Sequence, residues 1–195
     1  MIKRFKTLDS KLEIREETNQ EEYIIAGYFA VFNQETELYP GVFESIDRGA
    51  FKNSIDGDIR ALINHDTSLV LARTTSNTLT LKEDAKGLYG EIKINPYDTD
   101  ALNIYERVKR GDVSQCSFGF TINQEEADYR EDGSAHFILK DLNLYEVSIC
   151  TFPAYEGTEV EARQKQIEDH NKRSLSLWKE SMKGRLKNVK ENTTK

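Results

Sequence analysis

The sequence predicts a mixed, mainly β domain, a β-barrel or closed sheet flanked by helices, followed by a C-terminal helical extension. Three observations predict it. Short runs rich in aromatic and β-branched residues recur through the first 155 residues, as strands do. Only two stretches in that region read as helix. After residue 155 the β-like runs stop, and Lys, Arg, Glu and Gln dominate. Many short strands with few helices suggest closure of the sheet.

Taken in order, YIIAGYFAVF (residues 23–32) is the first strong strand, and a short helix is expected around residues 48–55. IRALINH (59–65) alternates, with Ile59, Ala61 and Ile63 on one face and His65 at the strand end. TLTLKEDAKGLYGEIKI reads as a hairpin closed near residues 84–87. A second helix is expected over 99–110, with Asp98 as N-cap, Gly111 as its stop, and an apolar stripe of Leu102, Tyr105 and Val108. CSFGFTIN and HFILKDLNLYEVSICTF are further strands, joined by the polar turn 131–135. Beyond them Leu175, Trp178, Met182, Leu186 and Val189 recur at steps of three and four, a helical stripe. The expected domains are therefore 1–155 and a charged amphipathic extension, 156–195.

Composition narrows the function classes. A chain of 195 residues holds one ordinary domain and an appendage, and aromatics at 10% supply large core pieces. A net charge of −7 argues against nucleic-acid binding, which needs clustered cations. Lys179, Lys183, Arg185, Lys187 and Lys190 make the extension locally basic, most simply as a solvated face. The start lacks an apolar signal region and no run of eighteen apolar residues occurs, so a cytosolic chain with reduced thiols and no membrane contact is expected. Cys116, Cys150, His65, His136 and His170 show no zinc spacing, and no metal is expected.

Three stretches could carry chemistry: NHDTSLVLART, RGDVSQCSFGF and LYEVSICTFPA. Strand parity puts Cys116, Phe118, Phe120 and Ile122 on a core face, leaving Ser117, Gly119 and Thr121 on the other. A small hydroxyl beside a glycine suits a nucleophile, with Gly119 leaving room for a substrate backbone. A Cys116 nucleophile is the competing arrangement, disfavoured by its core parity. His65 is the natural base. Glu146 shares its side of a strand with Ser148 and Cys150 and could orient an imidazole; Asp141, Asp66 or a second histidine are alternatives. Serine, histidine and glutamate in strands are also ordinary, so pattern by itself stops at a mostly β domain with a helical tail.

The ordered pieces GYFAVF, FESIDRGAF, NHD, GLYGEIKI, VKRGDVSQCSFGF and LYEVSICTFPA resemble the prohead maturation serine proteases of tailed phages. The resemblance rests on Gly49, Ala50 and Phe51; His65 and Asp66; Ser117, Gly119 and Phe120; and Glu146, Val147, Ser148, Pro153 and Ala154. It spans about residues 23–155. It implies an assemblin-like β-barrel surrounded by helices, as in the related herpesvirus assemblins. It also implies an endopeptidase cutting the scaffolding part of the major capsid protein, and itself, inside the assembling procapsid in the host cytoplasm. Ser117 and His65 would be the catalytic pair, with Glu146 as third member and Arg73 helping to fix the histidine loop. Such acyl transfer needs no cofactor. The implied partners are the major capsid protein and a second copy of the chain, with no specific nucleic acid. A non-catalytic scaffolding or capsid-interaction protein is the reading from another class.

Overall fold

The computed structural model describes residues 3–9, 12–16, 23–152 and parts of 165–179. Among the described residues up to 152, eleven strands and one α-helix follow in chain order: β1 (Arg4–Asp9), β2 (Glu13–Glu16), β3 (Tyr23–Val31), β4 (Thr36–Tyr39), β5 (Val42–Ile46), β6 (Arg60–Ile63), β7 (Asp66–Arg73), β8 (Leu79–Glu83), β9 (Gly87–Ile94), α1 (Thr99–Arg110), β10 (Gln115–Tyr129) and β11 (Ala135–Cys150). They form two sheets. One runs β1-β10-β11-β5-β4, with β6 pairing β11 and β7, and the other runs β2-β3-β9-β8.

The mainly β expectation holds; the closed barrel does not. Among the described residues the strands divide between two sheets because of the long β10–β11 hairpin. Its outer strand takes β5 in parallel along residues 135–139 and β6 in parallel along 146–149. That edge thus splits into two ladders instead of wrapping back onto the first strand.

One core joins side chains from both sheets: Phe118 and Phe120 from β10, Val147 and Ile149 from β11, Ile25 and Phe29 from β3. The Phe118 and Phe120 rings stack at 4.9 Å, and Phe51 meets Phe118 edge-on at 5.4 Å. Burying each such side chain contributes about 1.5–3 kcal/mol relative to exposure.

The second helix forms where its caps predict. The Asp98 carboxylate accepts from the amides of Asp100 and Ala101, and Gly111 ends the helix at φ 85. Its inward face is Ala101, Ile104, Tyr105 and Val108, whereas Leu102 is only half-buried. The expected helix at 48–55 is instead a chain of turns. Gly49 sits at φ 82, and the bonds Ala50 N to Asp47 O and Ser54 N to Phe51 O each span three residues. The segment drives Ala50 and Phe51 into the core.

The chain divides into two compact units, Met1–Glu156 and Gly157–Lys195. In the second, residues 165–169 and 171–173 are helical and mostly exposed. Trp178, Met182, Leu186, Val189, His170, Pro153, Ala154 and the basic positions beyond Lys179 lie outside the described residues. No helix among the described residues is long and apolar enough to cross a membrane.

Candidate active site

His65 lies at a hairpin tip rather than on a strand. β6 ends at Ile63 and β7 begins at Asp66, so the loop has two residues, Asn64 and His65, at φ 50 and 62. Two consecutive positive φ values match the twist of an antiparallel pair. Asn tolerates this conformation readily; His less so, and it is held from several sides. The Asn64 amide donates to the Ile149 carbonyl (3.0 Å), and the Thr151 amide donates to Asn64 Oδ1 (2.9 Å). The His65 amide donates to the Ser148 hydroxyl at 3.2 Å. The turn is thereby fastened to the end of β11.

The outward-alternating residues of β11 complete the arrangement. His65 Nδ1 lies 2.7 Å from Glu146 Oε1, and the Ser148 hydroxyl donates to Glu146 Oε2 at 2.5 Å. A carboxylate oxygen accepts here, so Nδ1 is the donor of the pair, and in the neutral ring this tautomer leaves the lone pair on Nε2. Both side chains are largely shielded, at 17% and 9% exposure, which strengthens the contact relative to one in water. Cys150 Sγ sits 3.7 Å from His65 Nε2. Burial, and then the Glu146 charge, push this thiol up to about 12, so it is a poor source of thiolate.

Ser117 is the cross-strand partner of Ser148 in the β10–β11 pair. Side chains so paired share a sheet face with Cβ atoms about 4.5–5.5 Å apart, which puts Ser117 on the face of the His65–Glu146 pair. Parity thus separates it correctly from Cys116, whose thiol donates to the Tyr28 carbonyl at 3.0 Å. Ser117 is fully buried, because β1 pairs along β10 with Thr7 opposite it. Its hydroxyl donates to the Lys6 carbonyl oxygen at 2.9 Å.

Gly119 also differs from expectation. The room it leaves is filled by protein rather than left for a substrate: a Cβ there would fall 2.5 Å from Glu146 Oε1 and 3.0 Å from the Phe5 ring. Phe5, on β1, packs its ring 4.4 Å from that of His65.

The competing residues are engaged elsewhere. Asp66 is taken by the amide and hydroxyl of Ser68, which hold its carboxyl below the usual range. Asp141 meets Asn123 at 3.4 Å. His136 Nε2 lies 2.8 Å from the Ser45 hydroxyl, with Glu35 at 3.4 Å from its other nitrogen. Arg73 forks onto Asp58 at 2.6 and 2.7 Å, tying the end of β7 to the approach to β6. The sequence reading missed Ser148 as a second ligand of the Glu146 carboxylate, although alternation along β11 already placed the two together.

Comparison with known proteins bears on this geometry. The family model described as Caudovirus prohead serine protease matches residues 10–173, a span containing His65, Ser117 and Glu146. The prohead protease of Enterobacteria phage HK97 is 30% identical over 179 residues, covering 89% of this chain and 75% of that protein. The capsid assembly protease of bacteriophage T4 aligns with a TM-score of 0.53 at 10% identity, over 76% of this chain and 96% of that one, a likeness of fold.

Proposed function

The chain belongs to the caudovirus prohead serine proteases, and from that premise we propose that it cuts the scaffolding part of the major capsid protein, and itself, as the prohead matures. Membership of this family makes the chain a serine protease. The observation that carries the reading of its site is the His65–Glu146 pair on the same sheet face as Ser117.

In this reading Ser117 is the nucleophile, His65 the general base and Glu146 the group that holds the imidazole. The Glu146 carboxylate fixes Nδ1–H, so Nε2, which Cys150 Sγ meets at 3.7 Å, is the nitrogen that takes the Ser117 proton as Oγ adds to the scissile carbonyl. The same carboxylate stabilises the imidazolium that forms. Protonated Nε2 then gives its proton to the leaving amine, and water resolves the acyl-enzyme. Before a capsid protein strand can be cut, the Ser117 hydroxyl must give up the Lys6 carbonyl, so β1 has to leave this edge first.

The major capsid protein with its scaffolding region is the proposed partner, with further copies of this chain. The place of action is the inside of the assembling procapsid in the host cytoplasm. Residues 1–155 carry the protease in this scheme, and 156–195 serve to deliver it into the shell. Co-expression with the cognate major capsid protein, followed by mass spectrometry of the products, tests the substrate. A capsid protein shortened at one defined bond is the expected product, and an uncut capsid protein beside an otherwise active protease would remove it as the substrate.

A further inference from the structure

β1 sits where a substrate strand would have to sit. It pairs antiparallel with β10 in the register Phe5 to Gly119, Lys6 to Phe118 and Thr7 to Ser117. The Lys6 carbonyl receives the Ser117 hydroxyl at 2.9 Å. The residue before it, Phe5, lies against His65 and over Gly119. The match to the family model begins at residue 10, just past the end of this strand.

The side chains of β1 that point to the opposite face are also received. Lys6 Nζ meets Glu44 Oε1 at 3.1 Å and Arg4 Nη2 meets Glu44 Oε2 at 2.8 Å. Glu44, on β5, is fully buried. The Arg4 guanidinium also lies 5.5 Å from the Phe120 ring centre. A cavity of about 20 Å³, lined by Lys6, Phe29, Gln34, Thr36 and Phe118 among others, leaves room for about one water there. Lifting β1 away would deprive a buried carboxylate of two cations, a costly state that another basic strand would relieve.

We propose that β1 is the enzyme's own first substrate, seated on the nucleophile strand with the Lys6–Thr7 bond at Ser117, and that Glu44 selects a basic residue before the scissile bond. This rests on the assignment of Ser117 as nucleophile. It names the substrate class of that site: an extended polypeptide added as a strand to β10, with Lys or Arg in the position of Lys6 and a second basic residue in that of Arg4. In the resting arrangement the hydroxyl donates to the carbonyl oxygen. For cleavage, Ser117 Oγ adds to the Lys6 carbonyl carbon while His65 Nε2 takes its proton. The Lys6–Thr7 C–N bond then breaks with that proton passing to the Thr7 amine, leaving Lys6 esterified to Ser117. Water, giving a proton to His65, hydrolyses the ester to a Lys6 carboxylate and a free Ser117. Cutting this bond releases Arg4, Phe5 and Lys6 from the edge of β10 beside Gly119 and Phe120, where the next chain can pair.

Intact-mass and N-terminal analysis of the full chain tests this, with a fluorophosphonate probe reporting on Ser117 independently. Wild type acquires a new N-terminus at Thr7, and Ser117→Ala stays whole at that bond. A synthetic peptide of residues 1–12 is cut by the wild-type protease after Lys6. Its Lys6→Gln counterpart is cut at least about ten-fold more slowly, because Glu44 then loses one of the two cations it receives and only the one from Arg4 remains in the peptide. Glu44→Gln in the enzyme narrows that difference, while the peptide pair gives its answer even if this variant folds poorly. Labelling of Ser117 with the 6–7 bond intact, or equal cleavage of the two peptides, overturns this proposal and leaves the nucleophile standing. No labelling and no cleavage at any bond overturns both.

Discussion

His65 Nδ1 meets Glu146 Oε1 at 2.7 Å while the other Glu146 oxygen is held by Ser148. The carboxylate is therefore oriented before any substrate arrives, and it dictates which imidazole nitrogen carries the proton. Glu146→Gln keeps the shape and removes the charge. We expect a loss of about 10³–10⁴ in kcat with an unchanged fold, by analogy with the acid of other triads. Cleavage rates compared with far-UV circular dichroism check it; near-normal turnover would pass the orienting role to another group such as Asp141.

His65→Ala should be as damaging as loss of the nucleophile, since in the proposed mechanism the two act as one unit. His136→Ala should leave the rate within a few-fold of wild type but lower the melting temperature. Its imidazole satisfies the buried Ser45 hydroxyl, and stranding that group costs about 1–3 kcal/mol. Paired rate and melting measurements separate the two histidines. If His136→Ala stopped cleavage without loss of stability, a Ser-His-His arrangement would be favoured.

Ser148→Ala and Gly119→Ala both disturb the Glu146 carboxylate while leaving the His65 imidazole in place, although the first also removes the hydroxyl that accepts from the His65 amide. The first removes the hydroxyl that holds Oε2, and the second places a methyl group 2.5 Å from Oε1. Each should lower kcat by about ten-fold or more with little change in KM, and Ser148→Thr should restore part of the loss for the first. A change confined to KM would make these residues substrate contacts instead.

Much of this was legible in the sequence, and the exceptions share a cause. Alternation in CSFGFTI separated Ser117 from Cys116, and Asp98 with Gly111 bounded the helix, because both signals are local. Burial of Ser117 was not legible. It depends on β1 pairing from more than a hundred residues away, and nothing in RFKTLD names its partner strand. The turn at Asn64 and His65 was readable as a two-residue hairpin, yet the alternation of Ile59, Ala61 and Ile63 drew the strand one turn too far. Residues 48–55 look helical by composition, but Gly49 and the burial of Phe51 against Phe118 favour turns.

The Arg73 fork holds the Asp58 carboxyl down to about 2, helped by the charge of Arg60. A carboxyl lowered on folding adds stability above its unfolded value, near 4, and that stability is lost as the pH falls through its folded value. Wild type should therefore lose melting temperature between about pH 4 and pH 2 more steeply than Asp58→Asn. Both groups are exposed, so the effect is small and shrinks at high salt. Parallel acid limbs for the two proteins would show that the pair contributes nothing.

Ser117, served by His65 and Glu146, is the proposed nucleophile of this capsid-maturation protease. Co-expression of wild type and Ser117→Ala with the cognate major capsid protein, read by mass spectrometry, tests it most directly. Cleaved capsid protein is expected with the wild type, and a loss of about a thousand-fold or more with Ser117→Ala, whose fold is expected to be unchanged. Cleavage that persists in Ser117→Ala but disappears in Cys116→Ala or Cys150→Ala would move the nucleophile to a thiol and contradict the account.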